Sequence, residues 1–133
     1  MQGIVVDTDV ISFIFKGDTR ADLYDPHLVG KLTIASFMTV AELDRWAMQY
    51  TWGEAKRNRL ESFLLKYFIS FSDRALCRKW AEAVYSARRN GRPIRTADAW
   101  IAATALLYEI PLVTHNRSNY AGVAGLTVIS EAP

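Results

Sequence analysis

Gly3-Ile4-Val5-Val6-Asp7-Thr8-Asp9 is the stretch on which the reading of this chain turns. Three β-branched residues in a row read as a strand buried on both faces, as in a parallel sheet covered by helices. The run ends abruptly in two carboxylates that flank a threonine, and a second apolar run, Val10 to Phe15, follows at once. Asp7 and Asp9 are therefore expected at the C-terminal end of a strand, where parallel α/β sheets carry their ligand sites. One acid suffices to cap the following helix; two beside Thr8 exceed what capping needs.

Outward from this stretch, strand and helix signals alternate. A first helix is expected from Asp9 to about Lys16, stopped by Gly17. Asp18 to Gly30 reads as a loop and a short helix broken at Pro26, and Leu32 to Ser36 as a second strand. A helix from Phe37 to Tyr50 and another from Glu54 to Tyr67 precede a weak third strand, Phe68 to Phe71. Asp73 to Asn90 has the spacing of a long amphipathic helix, ended by Asn90-Gly91, with Pro93 keeping the next segment extended. Thr96 is placed as the cap of a nearly all-apolar helix, Ala97 to Tyr108, which must lie against the sheet. Pro111 to Thr114 and Leu126 to Ile129 are the last strands. Short strands alternating with helices predict an α/β fold, a three-layer α/β/α sandwich around a mostly parallel sheet, over residues 1–133 as one domain.

Half the residues are hydrophobic and 23% are charged, which excludes a disordered chain. The net charge of +2 singles out no partner class, although a pI near 8.8 is compatible with an acidic polymer. The single cysteine, Cys77, excludes an internal disulfide and a thiolate zinc cluster. Without a secretory signal or a long apolar run, a soluble cytoplasmic protein with no membrane association is expected.

The remaining acids sort by position. Glu42 stands in Thr39-Val40-Ala41-Glu42, which matches a capping box with the glutamate at its third helical position, so structural and functional readings compete. Asp98 opens the apolar helix, where the helix dipole favours a carboxylate and where it is also presented at the sheet's edge. Asn116 and Asn119 follow the fourth strand and are ordinary loop residues taken singly. Asp44, Glu54, Glu61, Glu82 and Glu109 read as solvated helix faces. There is no nucleophile elbow, P-loop or glycine-rich dinucleotide turn, and His27 and His115 lack metal-motif spacing. Acids without a catalytic His, Cys or Ser suggest a hard cation, Mg²⁺ or Mn²⁺, which would relieve the mutual repulsion of clustered carboxylates.

The ordered set of motifs resembles the PIN-domain ribonucleases of the VapC toxin type over nearly the whole length. It consists of Val5-Val6-Asp7-Thr8-Asp9, Ala35-Ser36 through Thr39-Val40-Ala41-Glu42-Leu43, Gly91-Arg92-Pro93-Ile94, Thr96-Ala97-Asp98-Ala99-Trp100-Ile101-Ala102-Ala103-Thr104-Ala105 and Leu112-Val113-Thr114-His115-Asn116. The resemblance implies that Asp7, Glu42 and Asp98 are the catalytic acids and ligands for Mg²⁺ or Mn²⁺. It also implies an RNA substrate and a cognate antitoxin protein as partner. Members often carry a further acid at or near Asn116 and Asn119. Amides at both places leave the number of metals open or shift a ligand role to Asp9, with Asn116 as a further candidate ligand.

The expected reaction is metal-dependent hydrolysis of an RNA phosphodiester, with Asp7 and Asp98 as direct ligands and Glu42 binding a second ion or holding the water. Thr8, Ser36 or Thr114 would donate to the phosphate. A rival reading is a phosphatase of the haloacid-dehalogenase type, whose opening Asp7-Thr8-Asp9 imitates. A second is a degenerate module that holds RNA or protein without cutting, which the two asparagines favour. Arg88 and Arg89 suit a helix end, whereas Arg92 and Arg95, beyond Gly91, are the expected RNA-binding residues. Trp46, Tyr50, Trp52 and Trp80 read as core or as a partner-binding surface. The oligomeric state is not legible, and a homodimer stays open.

Overall fold

All five strands run parallel in the computed structural model, which describes residues 2–133. They are β1 (Gly3–Val6), β2 (Leu32–Ser36), β3 (Phe68–Ser70), β4 (Leu112–Val113) and β5 (Val128–Ile129), in the order β3-β2-β1-β4-β5. Between them lie α1 (Thr8–Lys16), α2 (Asp25–Leu28), α3 (Phe37–Gln49), α4 (Glu54–Leu64), α5 (Arg74–Arg89) and α6 (Thr96–Tyr108). The chain winds outward from β1 to β3, then returns across the sheet to place β4 on the other side of β1. Beyond the C-terminal ends of β1 and β4 the winding direction reverses, and a crevice opens there by construction.

The pleat of β1 divides the core into two layers. Ile4 and Val6 point into a layer shared with α1, α3 and α4, through Val10, Leu43, Leu60 and Phe63. Val5 points to the opposite layer, packed by Ala83 and Ala87 of α5 and by Ile101, Ala102 and Ala105 of α6. The expected three-layer sandwich is therefore the observed one, and both faces of the strand Ile4-Val5-Val6 are dry. Alanines in α6 allow it to lie close to α5 as well as to the sheet, with Ala99, Ala102 and Ala103 wholly buried.

Local differences from the sequence reading have local causes. Pro26 does not break a helix; it sits in the first turn of α2, where a missing N–H is harmless. The helix α4 ends at Leu64, so Tyr67 packs from the connection rather than from the helix. Thr96 is the first residue of α6 and not its cap; the cap position is Arg95, which makes no capping hydrogen bond. The short strands are trimmed, β4 to Leu112–Val113 and β5 to Val128–Ile129, because only there do neighbouring backbones register. Among the described residues, no helix is long and apolar enough to cross a membrane.

Candidate active site

Asp7 follows β1 directly and is 6% exposed. Its Oδ1 accepts from the Thr8 amide at 2.7 Å, and its Oδ2 accepts from Thr114 Oγ1 at 2.7 Å and from the Tyr120 hydroxyl at 2.9 Å. Burial, reinforced by the charge of Asp9, pushes its pKa up to about 7 despite these donors. Asp9, one residue into α1, accepts from the Val10 amide at 2.7 Å through Oδ1. Its Oδ2 takes the His115 amide at 3.0 Å and the Asn116 side-chain amide at 3.4 Å. Burial raises its pKa as well.

Glu42 reaches the same place from α3. The capping-box reading of Thr39 and Glu42 is wrong: the cap of α3 is Ser36, whose Oγ accepts from the Met38 amide at 3.0 Å. That shift of register puts Glu42 well inside the helix and frees its carboxylate. Its Oε1 accepts from Thr8 Oγ1 at 2.9 Å, and Thr8 Oγ1 in turn lies 2.9 Å from Thr39 Oγ1, so Thr39 donates to Thr8 and Thr8 to Glu42. Burial, then the nearby charge of Asp98, raises the pKa of Glu42.

Asp98 arrives from the first turn of α6. Its Oδ2 is buried and accepts no hydrogen bond; the nearest cation is Arg95, with Nε at 3.5 Å. Burial raises its pKa, and Arg95 partly offsets this. The four acids Asp7, Asp9, Glu42 and Asp98 line one cleft of about 180 Å³ with Thr8, Trp46, Arg95, Asn116 and Asn119. They come from three stretches of the chain, and burial raises all four pKa values, so each acid resists ionisation in the metal-free cleft. A hard divalent cation fits this donor set of carboxylate oxygens, one of them orphaned. Among the described residues no three acidic side chains are gathered tightly enough to close around one ion as they stand, so the fit lies in the donor chemistry.

The hydroxyls expected to face a phosphate are committed elsewhere. Thr8 and Thr114 donate to Glu42 and Asp7, and Ser36 is fully buried as a helix cap. Arg95 lines the acidic cleft and Arg92 lines a neighbouring hollow. Arg88 and Arg89 sit exposed at the end of α5. Of the four aromatics, Trp52 is buried against Phe15, Trp80 stacks on Trp100, Trp46 lines the cleft and only Tyr50 stands clear of the surface.

Tyr120 was missed by sequence reasoning, since nothing around it differs from a loop aromatic. Burial, followed by the charge of Asp7, keeps its pKa far above the usual phenol range, so it stays protonated and donates. Tyr120→Phe should lower the stability of the metal-free protein by about 1–2 kcal/mol, because a buried carboxylate loses one of its three donors. Urea unfolding measures this; an unchanged midpoint and slope would show that the phenol does not hold Asp7.

The family model described as the PIN domain matches residues 4–126. The VapC ribonuclease Y4jK of Sinorhizobium fredii is 32% identical, with 96% of each chain covered. Ribonuclease VapC1 of Haemophilus influenzae is 25% identical over 92% of each. Among solved structures, FitAcB from Neisseria gonorrhoeae superposes with a TM-score of 0.78 at 27% identity, covering 95% of this chain and 96% of that one. VapBC2 from Rickettsia felis, bound to a DNA fragment from its promoter, gives 0.83 at 18% identity, covering 96% and 97%, a likeness of fold. The chain belongs to the PIN-domain family and, within it, to the VapC type.

Proposed function

We propose that this protein is an endoribonuclease that hydrolyses RNA phosphodiester bonds with Mg²⁺ or Mn²⁺, and that it is the toxin of a toxin–antitoxin pair. The observation that carries the reading is the meeting of Asp7, Asp9, Glu42 and Asp98 in one cleft at the topological switch point, with Arg95 as the one cation lining it among the described residues. The names of the relatives, ribonucleases of the VapC type, support the same activity. Asp7 and Asp98 would hold the ion, with Asp9 and the Asn116 amide oxygen as further donors. Glu42 would take a second ion or a proton from the attacking water. A bound divalent ion would polarise the phosphodiester and make a water nucleophilic near neutral pH.

The chain's own residues do the rest. Thr114 and Tyr120 fix Asp7, the Thr39–Thr8 pair fixes Glu42, and Arg95 stands at the mouth of the cleft beside Asp98, where it can meet a phosphate. Asn116 and Asn119 are neutral where further acids are often found, which reduces the charge available for a second ion. Membership of the PIN-domain family removes the haloacid-dehalogenase reading. The antitoxin is expected as a protein partner, in keeping with the VapBC assemblies among the structural neighbours.

Purified protein incubated with mixed cellular RNA should cut it with Mg²⁺ or Mn²⁺ and not with chelator, and an Asp7→Ala variant should not cut it. Cleavage that persists with chelator or in Asp7→Ala would overturn the reading. Binding without cleavage under every condition would leave a non-catalytic RNA-binding module in its place.

A further inference from the structure

Beside the acidic cleft lies a larger hollow, about 500 Å³, lined by Arg92, His115, Asn116, Arg117 and Ser118 together with the last two residues of the chain. Asn116 lines both spaces, so the two are contiguous. Their charges are opposite. Four carboxylates line the cleft, while among the described residues none of the side chains lining the hollow is acidic and two are arginines. Among the described residues neither Arg92 nor Arg117 pairs with a carboxylate, in contrast to Arg95, which is held by Asp98.

The two arginines are placed by specific backbone contacts. After the left-handed Gly91, the Arg92 amide turns back to the Ala87 carbonyl at 2.9 Å. Gly122 then packs against this turn so closely that a Cβ would lie 2.7 Å from the Arg92 carbonyl oxygen and 2.9 Å from its Cβ. Asn90 Nδ2 donates to the Gly122 carbonyl at 2.8 Å and locks the two segments together. On the other side, one guanidinium nitrogen of Arg117 donates to the Val128 carbonyl at 3.3 Å, which anchors the side chain along β5 and leaves its remaining N–H groups free.

We propose that this hollow is a subsite for the nucleotide next to the scissile phosphate of a single-stranded RNA. Arg92 and Arg117 take its phosphodiester, and His115, Asn116 and Ser118 offer hydrogen-bonding groups to sugar or base. The inference rests on the nuclease reading of the cleft. Its volume falls in the range that encloses a small ligand, and a polymer threaded through the cleft must place its next unit on one side of it. Unpaired guanidinium groups recognise phosphate through charge-assisted hydrogen bonds, and a hollow continuous with the cleft on its Asn116 side is where that phosphate would be.

Steady-state cleavage of a short single-stranded oligoribonucleotide and of bis-p-nitrophenyl phosphate, a diester with no neighbouring nucleotide, tests this. Arg92→Ala and Arg117→Ala should each lower kcat/KM on RNA about tenfold, the worth of one charge-assisted contact, through KM rather than kcat. Each should reduce the salt slope of kcat/KM by roughly 0.7. Both variants should hydrolyse the small diester like the wild type, which also shows that they fold, and Arg88→Ala should match the wild type on both substrates. Unchanged KM and salt slope on RNA would overturn the subsite while the nuclease reading stands. So would variants that cut RNA normally but escape inhibition by a co-expressed partner, since the hollow would then receive protein. A wild type that cleaves neither substrate would overturn the reading of the cleft and the subsite with it.

Discussion

An Asp98→Asn variant is expected to lose RNA cleavage by about a hundredfold or more, yet to melt at a higher temperature than the wild type when no divalent ion is present. Both effects follow from one atom. Asp98 Oδ2 is buried and accepts no hydrogen bond, and Arg95 Nε at 3.5 Å belongs to a side chain that is 74% exposed, so solvent weakens the compensation. The Asp98 charge also opposes ionisation of Glu42. Asparagine keeps the shape and removes the charge, relieving repulsion in the empty cleft; each kcal/mol relieved raises the melting temperature by about 4 °C in a chain of this size. A ligand that binds only the folded state stabilises by mass action, about 2.7 kcal/mol at a hundredfold excess over its dissociation constant. Mn²⁺ should therefore raise the wild-type melting temperature strongly and that of the variant far less. Equal Mn²⁺ shifts in the two proteins would remove Asp98 from the ion site, and a lower metal-free melting temperature for the variant would show that the charge is not under strain.

Metal-free stability should also fall as the pH rises from about 4 to about 8. Asp7 has its pKa pushed up to about 7 in the folded chain, against 3.8 for an unperturbed aspartate. Between these values the folded state holds a proton that the unfolded state has released, so stability falls with pH at roughly 1.4 kcal/mol per unit for one such group. The contribution is fully present below 3.8 and is lost by the time the pH has passed 7. Asp9, Glu42 and Asp98, raised in the same direction, steepen the trend. Asp18 moves the other way, down to about 2 because Arg20 holds its ionised form, but that acts only below this window. Melting temperatures in chelator at pH 5 and pH 8 should differ by several degrees, and Asp7→Asn should flatten the difference. A metal-free protein equally stable at both values would mean that the acids are solvated rather than buried.

Much of this was legible in the chain because it depends on local pattern. Ile4-Val5-Val6 before Asp7 announced a buried parallel strand with an acid at its end, and the apolar run from Ala97 to Tyr108 announced a helix flat against the sheet. Glu42 was ambiguous, since Thr39 to Glu42 satisfies the capping pattern as well as any true box. The cap went to Ser36 because β2 ends there with its hydroxyl turned under the first turn of α3, a matter of register that spacing alone does not settle. Spacing alone places Arg92 and Arg95 side by side, whereas the turn at Gly91 and the packing of Gly122 send Arg92 to the hollow and leave Arg95 in the cleft.

What the amino-acid sequence by itself determined is the layered α/β architecture and the placing of Asp7 at a strand end and Asp98 at a helix start. These follow from hydrophobic periodicity and from where charges can interrupt it. Only the tertiary structure decided which hydroxyls hold which carboxylate, that Tyr120 reaches across more than a hundred positions to Asp7, and that Asp98 Oδ2 accepts no hydrogen bond. Those outcomes depend on distances between segments remote in sequence, set by the return of the chain from β3 across the sheet to β4, and no local preference encodes them.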